Sequence, residues 1–326
     1  MEYRRLGSSG LRVSAIGLGS WVTYGKQVGA EPARGCISAA YDAGVNLFDT
    51  AEGYADGRAE EILGDVFRDR GWARGTLVIS TKVFFGGDAP NQSGLSRKHI
   101  TEACHTSLKR LGVDHIDLYF CHRPDPHTPV EETVRAMDTL VRQGKVLYWG
   151  TSYWDADRVT EALEIARAHH LTPPTMEQPP YNMFQRDRVE RELAPLCAGG
   201  LGLTTFSPLF EGVLSGKYRD GVPEDSRAAF RGPGWVRHFL EGDKGTARRR
   251  AVDALCGLAR DLSTTPAALA IAWCLKNPHV GGVITGARTP EQVKANLEAV
   301  PLQERLDDAV MEAIRGILAP LDTAAE

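Results

Sequence analysis

The chain has 326 residues, 42% of them apolar, enough to bury a full core, and its formal charge of -4 at neutral pH is spread along its length. That balance excludes a basic stripe for nucleic acid and a polybasic tail for membranes, and no apolar run approaches a membrane span. Length and content fit one α/β barrel of about 250 residues plus insertions.

Met1-Glu2-Tyr3-Arg4-Arg5 leads straight into folded-looking sequence without an apolar signal region or a transit peptide, so a cytoplasmic protein is expected. Cys36, Cys104, Cys121, Cys197, Cys256 and Cys274 have no CxxC spacing and mostly fall in apolar segments. They read as reduced, buried thiols.

Tyr3 to Leu6 and Leu11 to Val13 flank Gly7-Ser8-Ser9-Gly10 as a hairpin. Ile16-Gly17-Leu18-Gly19 predicts a first parallel strand, with Ser20-Trp21 opening the loop after it. A Rossmann turn would need a third glycine, which Gly17-Leu18-Gly19-Ser20-Trp21-Val22 lacks. A helical pattern over 32–43 precedes the apolar run Val45 to Phe48, which reads as a buried strand ending at Asp49. Helices are expected near 59–69, 96–111, 129–143, 155–169 and 187–198, with strands near 77–82, 115–121, 146–151, 175–178 and 202–206. Repeated βα units imply parallel strands and right-handed crossovers. Thr128-Pro129-Val130-Glu131 has the capping-box form, and Gly199-Gly200 is a helix stop.

After Leu203 to Phe206 the rhythm breaks, and 207–245, with its Trp235, reads as a long functional loop over the top of the barrel. Helices near 247–261, 266–277, 290–299 and 306–317 and a strand at Gly282 to Thr285 complete the chain. The expectation is therefore a (β/α)8 TIM barrel with an N-terminal β-hairpin and a long loop after strand 7. A single domain covers 1–326, ordered over about 3–318, with Thr323 to Glu326 frayed.

Three strand-like runs each deliver one ionisable group at the same sheet edge: Asp49, Lys82 at the end of Leu77 to Lys82, and His122 at the end of Ile116 to His122. They lie roughly 35 to 40 residues apart, the span of one βα unit with its loops, at the edge where barrel enzymes place their chemistry. Tyr54 joins from the loop after Asp49. A phenol with a pKa of about 10 needs a buried cation to become a useful acid. Lys82 can supply that charge, Asp49 can hold the lysine, and the set reads as a proton relay for carbonyl reduction.

These four residues resemble the tetrad of the aldo-keto reductases. The wording around them is Thr50-Ala51-Glu52-Gly53-Tyr54, Arg123-Pro124-Asp125-Pro126, Glu131-Glu132-Thr133-Val134-Arg135-Ala136-Met137 and Trp149-Gly150-Thr151-Ser152. It is similar to the branch that contains the β subunits of voltage-gated potassium channels, and the resemblance runs from about Tyr3 to about Leu318. It implies that the hairpin closes the bottom of the barrel and that the protein reduces aldehydes or ketones with NADPH, without metal. Channel subunits carry asparagine where this chain has His122, whereas most active reductases carry histidine.

The resemblance also implies a cofactor site. Gly286-Ala287-Arg288-Thr289-Pro290-Glu291-Gln292 places a capped helix start beside Arg288, suited to the 2′-phosphate of an adenosine ribose. Read without the resemblance, it is equally a capped helix with a surface arginine. Gln292 and Asn296 match cofactor contacts, while Ala295 stands where close relatives have an acid. Ser207, Pro208, Leu209, Lys217 and Arg227 correspond to a belt over the pyrophosphate, Ser152 and Gln178 to holders of the nicotinamide carboxamide, and Ser20, Trp21, Gln27 and Asp49 to further contacts. Either Tyr181 or Phe206 is the platform under the ring, and Tyr153 replaces an arginine of the channel subunits. Trp21, Tyr54, Phe84, Phe85 and His122 are the expected substrate pocket. Two other readings are an NADPH-binding accessory subunit of a potassium channel, with a tetramer implied by the family, and a ketoreductase for a nucleotide-linked deoxysugar.

Overall fold

The computed structural model describes residues 1–224, 226, 228–229 and 239–322. Arg227, Trp235 and the expected frayed tail lie outside the described residues. The chain divides into two compact units.

The first unit comprises Met1–Pro179, Asp187–Phe206 and His279–Lys294. Strands β1 (Tyr3–Arg5) and β2 (Arg12–Ser14) form the expected antiparallel hairpin, Tyr3 opposite Ser14. Next come β3 (Ile16–Gly19), helix α1 (Ala30–Asp42), β4 (Leu47–Asp49), α2 (Arg58–Arg70), β5 (Val78–Val83), α3 (Arg97–Leu111), β6 (Ile116–Cys121) and α4 (Val130–Arg142). These are followed by β7 (Val146–Ser152), α5 (Ala156–Ala168), β8 (Met176–Gln178), α6 (Ala194–Ala198) and β9 (Gly202–Thr205). Strand β10 (Val280–Thr285) comes after a long excursion and leads into α9 (Pro290–Leu297). Strands β3 to β10 close as a parallel barrel in the order β10-β3-β4-β5-β6-β7-β8-β9, so the fold is the expected (β/α)8 barrel.

Side chains alternate across each strand, and this period of two decides what faces inward. Leu47, Val78, Leu118, Phe120, Met176 and Ile284 form an interior cluster with Leu6 and Val13 of the hairpin. Each such apolar side chain, fully buried, stabilises the fold by about 1.5–3 kcal/mol. The alternate residues Val83, Tyr119, Cys121 and Trp149 pack outward against Ile100, Val134, Met137 and Val159 of the surrounding helices. Asp49, Ser80 and Lys82 share the inward phase with Leu47 and Val78, which carries polar groups to the carboxyl ends of strands whose first residues are apolar.

The hairpin is tied to the barrel by its backbone: the Ser8 amide donates to Gly200 O at 2.9 Å, and Ala15 O, just past β2, accepts from the Val283 amide at 2.9 Å. Gly7 has φ +56°, and a Cβ there would lie 2.3 Å from Gly200 O. Gly17 and Gly19 serve packing as well, since added Cβ atoms would lie 2.9 Å from Leu47 Cδ2 and 2.6 Å from Ile284 Cγ2.

Two local expectations are corrected. Thr128 is not the cap of α4: Pro129 holds that position without a side-chain bond, and the Thr128 hydroxyl donates instead to Asp125 Oδ2 at 2.8 Å. The helix begins one residue later than the sequence pattern implies, so the cap position falls on a proline, which has no side-chain acceptor. The helix expected over 187–198 is a π-type turn, Arg188–Glu192, followed by the short α6. Pro195 in its first turn brings no amide to continue the preceding ladder.

The second unit comprises Pro180–Arg186, Ser207–Pro278 and Ala295–Glu326. It holds a 3-10 turn (Phe210–Ser215), α7 (Gly242–Asp261), α8 (Pro266–Leu275), α10 (Ala299–Leu302) and α11 (Asp308–Asp322). Thr265 caps α8, accepting from the Ala268 amide at 3.1 Å, with Pro266 in the first turn. Tyr181 is 2% exposed, and its ring lies 5.0 Å from that of Trp273. All six cysteines are buried and unbridged. Among the described residues, no helix is long and apolar enough to cross a membrane.

Candidate active site

The four expected residues meet at the carboxyl ends of neighbouring strands of the first unit. Lys82 Nζ donates to Asp49 Oδ2 at 2.6 Å and to Thr50 O at 2.7 Å. Asp49 Oδ1 accepts from Ser80 Oγ at 2.6 Å and from Gln178 Nε2 at 3.1 Å. The lysine and aspartate are almost wholly buried, so this ion pair stands on geometry and added hydrogen bonds rather than on solvent. Tyr54 begins a 3-10 turn, Tyr54–Gly57, in which Ala55 and Asp56 are left-handed. Lys82 Nζ lies over the Tyr54 ring, 5.1 Å from its centroid, and Tyr54 Oη is 3.5 Å from His122 Nε2.

Burial sets the protonation states. It pushes the Tyr54 phenol well above its usual pKa, helped by the Asp49 charge and opposed by Arg123. The hydroxyl therefore holds its proton at neutral pH. Burial also pulls the Lys82 ammonium down, with Asp49 opposing. His122 is pushed well below the ordinary imidazole range, first by burial and then by the charges of Lys82 and Arg123. The ring is neutral at pH 7, with one N–H and one lone pair, and its Nδ1 has no hydrogen-bond partner among the described residues. A protonated phenol and a neutral imidazole side by side, backed by a buried cation, can polarise and protonate a carbonyl oxygen.

Sequence reasoning left several supporting residues unassigned. Arg123, directly after His122, donates to His122 O at 2.6 Å and stacks 4.0 Å above the Tyr153 ring. Ser80 is the second clamp on Asp49. Glu52 accepts from the Phe84 amide at 2.6 Å and faces His99 Nε2 at 3.1 Å, which fixes the loop carrying Phe84 and Phe85. The Arg123 charge at a strand end was the signal for the first; a carboxylate two residues before Tyr54 was the signal for Glu52.

Glu177, fully buried, faces the opposite side of β8 from Gln178. It accepts from the Trp154 amide at 3.2 Å and is hydrogen-bonded to Thr151 Oγ1. Burial pushes its carboxyl up to about 7. A raised carboxyl favours the protonated fold, so its contribution is complete below the unfolded pKa and drains away as pH rises to about 7. Glu177→Gln, which mimics the protonated acid, is expected to gain on the order of 3 kcal/mol relative to the native chain between pH 4 and pH 8. Urea unfolding at the two pH values checks this; an equal effect at both would show that Glu177 does not titrate in this window.

The expected cofactor residues fall in both units. In the first, Ser20 is buried, its amide donating to Asp49 O at 2.9 Å and its Oγ without a hydrogen-bond partner among the described residues. Trp21 and Gln27 follow in the same loop, half-buried. Ser152 Oγ donates to Gln178 O at 2.8 Å, and Gln178 Nε2 also reaches Thr204 Oγ1 at 3.3 Å. Phe206 lies 5.4 Å from the Tyr153 ring. Past β10, Gly286 is exposed and Arg288 half-buried. Thr289 Oγ1 accepts from the Gln292 amide at 3.3 Å, while Gln292 Oε1 turns back to the Arg288 amide at 2.8 Å. The cap expected of Thr289 is thus present, one amide earlier on the returning side.

In the second unit, Ser207 is left-handed at φ +53° and its hydroxyl reaches Glu211 Oε1 at 3.3 Å. Pro208 is buried, Leu209 half-buried, Lys217 exposed, and Asn296 8% exposed. Phe84 is half-buried and Phe85 is 47% exposed, their rings 4.7 Å apart, with Phe85 5.2 Å from the His122 ring.

A closed parallel barrel with this polar cluster at the carboxyl ends of its strands has the architecture on which barrel enzymes carry their active sites. The model of the Aldo/keto reductase family matches residues 15–319, and the chain belongs to that family. Among curated proteins it is 48% identical to a probable voltage-gated potassium channel subunit beta of Oryza sativa subsp. japonica, over 98% of this chain and 97% of the relative. A protein of the same description from Arabidopsis thaliana is 48% identical over the same shares.

Proposed function

We propose that the protein reduces aldehydes or ketones to alcohols with NADPH, Tyr54 acting as general acid. The observation that carries this reading is the convergence of Tyr54, Lys82, Asp49 and His122, with the Lys82–Asp49 contact at 2.6 Å and the phenol 3.5 Å from the imidazole. NADPH, when bound, supplies the hydride to the carbonyl carbon. Arg288 beside the capped start of α9 suits a phosphate, and the orphaned Ser20 hydroxyl next to Asp49 suits a polar group of the nucleotide. Ser152 and Gln178 stand at the strand ends near Asp49, where the nicotinamide amide is expected.

The residues then divide the work. Tyr54 keeps its proton until an alkoxide forms on the substrate, and its hydroxyl and the His122 imidazole orient the carbonyl oxygen. Lys82 stabilises the phenolate left behind, held in place by Asp49 and Thr50. The single domain, the cytoplasmic location and the tetrameric state expected from sequence belong to the same proposal.

Loss of reduced-nicotinamide absorbance with a panel of aldehydes and ketones tests it. Turnover of at least one with NADPH, faster than with NADH, is the expected result, and none with either cofactor would sink the reading. A second reading, an NADPH-binding accessory subunit of a potassium channel, is favoured by the near-complete coverage of relatives named as probable voltage-gated potassium channel beta subunits. Co-purification with a channel and no measurable turnover would select it.

A further inference from the structure

We infer that Arg123 is the anchor for an anionic group of the substrate, so that the site selects short carbonyl compounds carrying a carboxylate or phosphate a few bonds from the reacting carbon. This rests on the reductase reading for its chemistry but on separate residues for its geometry.

The guanidinium is half-buried at the end of β6, one residue beyond His122. Two rings lie against it: the Tyr153 centroid is 4.0 Å from Cζ and the Phe85 centroid 5.9 Å away. Stacking of this kind fixes the plane and leaves the edge free to act. Of its five N–H groups, one donates to His122 O at 2.6 Å, and no carboxylate among the described residues pairs with the rest. Glu177 acts on it only from a distance, its oxygens engaged by Thr151 and the Trp154 amide.

A partly desolvated cation without a counter-charge is costly, and burial indeed pulls Arg123 below its usual pKa. Tyr153, whose ring meets the guanidinium, has φ +62°, a conformation that costs a β-carbon residue stability and is kept where the surroundings impose it. Phe85 connects the two functions, since its ring also lies 5.2 Å from His122, and it is 47% exposed, so the clamp is open to solvent. An anion on the guanidinium edge would therefore sit about one aromatic ring from the phenol and imidazole. A planar fork favours bidentate oxyanions.

The test uses matched pairs: 4-oxobutanoate against butanal for a carboxylate, and glyceraldehyde 3-phosphate against glyceraldehyde for a phosphate. In the native chain the charged member of at least one pair is expected to have the higher kcat/KM. Arg123→Met is expected to lower that charged-to-neutral ratio about 100-fold, through KM, and Arg123→Lys to restore part of it. Discrimination in the first pair alone identifies a carboxylate, and in the second alone a phosphate. A ratio that Arg123→Met does not change overturns the proposal, as does a preference for both neutral compounds.

Calorimetric titration with butanedioate and with inorganic phosphate, with and without NADP+, needs no turnover. Arg123-dependent binding of either supports the anchor even if every aldehyde proves inert, which would sink only the reductase reading. Binding of neither overturns the anchor even if aldehydes are reduced.

Discussion

Tyr54→Phe is expected to bind NADPH within a few-fold of the native chain and to lose about 1,000-fold in kcat with any aldehyde the native chain reduces. The ring stays over Lys82 and beside His122, because the contacts that place it are made by its face and edge. What disappears is the proton. Among the described residues no other proton donor has a comparable position, since the His122 ring is kept neutral by burial and by the neighbouring Lys82 and Arg123 charges. Fluorescence titration with NADPH and single-turnover kinetics separate binding from chemistry. A near-native rate would remove Tyr54 from the mechanism.

The second large effect is on stability. Asp49→Leu leaves the Lys82 ammonium buried with only Thr50 O to receive it, and is expected to cost about 3–5 kcal/mol of unfolding free energy. Burial already pulls that ammonium down, and Asp49 is the main opposing charge. Adding Lys82→Met removes the stranded cation, so the double variant should regain most of the loss. It should remain inactive. Urea denaturation of the native chain, the single variant and the double variant reads this directly. A double variant as unstable as Asp49→Leu would show that the cost comes from Ser80 and Gln178, which lose their shared acceptor, rather than from the charge.

The two experiments address different roles of the same cluster. Asp49 holds both Lys82 and, through Oδ1, Ser80 and Gln178, so its removal loosens three strands at once. Tyr54 touches the cluster only from above, on a short turn after β4. A catalytic group on the turn and a structural pair on the strands can thus be separated by measurement.

Much of this was legible in the chain itself. The alternation of apolar runs and helical periods located the barrel strands to within two residues, because a buried parallel strand must be apolar on both faces and its helix on one. Asp49, Lys82 and His122 could be placed at one sheet edge by spacing alone, since each ends its run one βα unit after the last. The cap at Thr289 was equally local, a matter of neighbouring residues.

Other features depend on partners far away in sequence. The Thr128 hydroxyl is tied to Asp125 while Pro129 takes the cap position, and the helix expected over 187–198 broke where Pro195 met a π-type turn. The unsatisfied edge of Arg123, the clamp of Tyr153 and Phe85 on its faces, and the neutral His122 arise from rings and charges that converge only when separate strands close. Residue type and period act between near neighbours and so can be read along the chain; burial, pKa and the sharing of one carboxylate among three strands act through space, and only folding sets those distances.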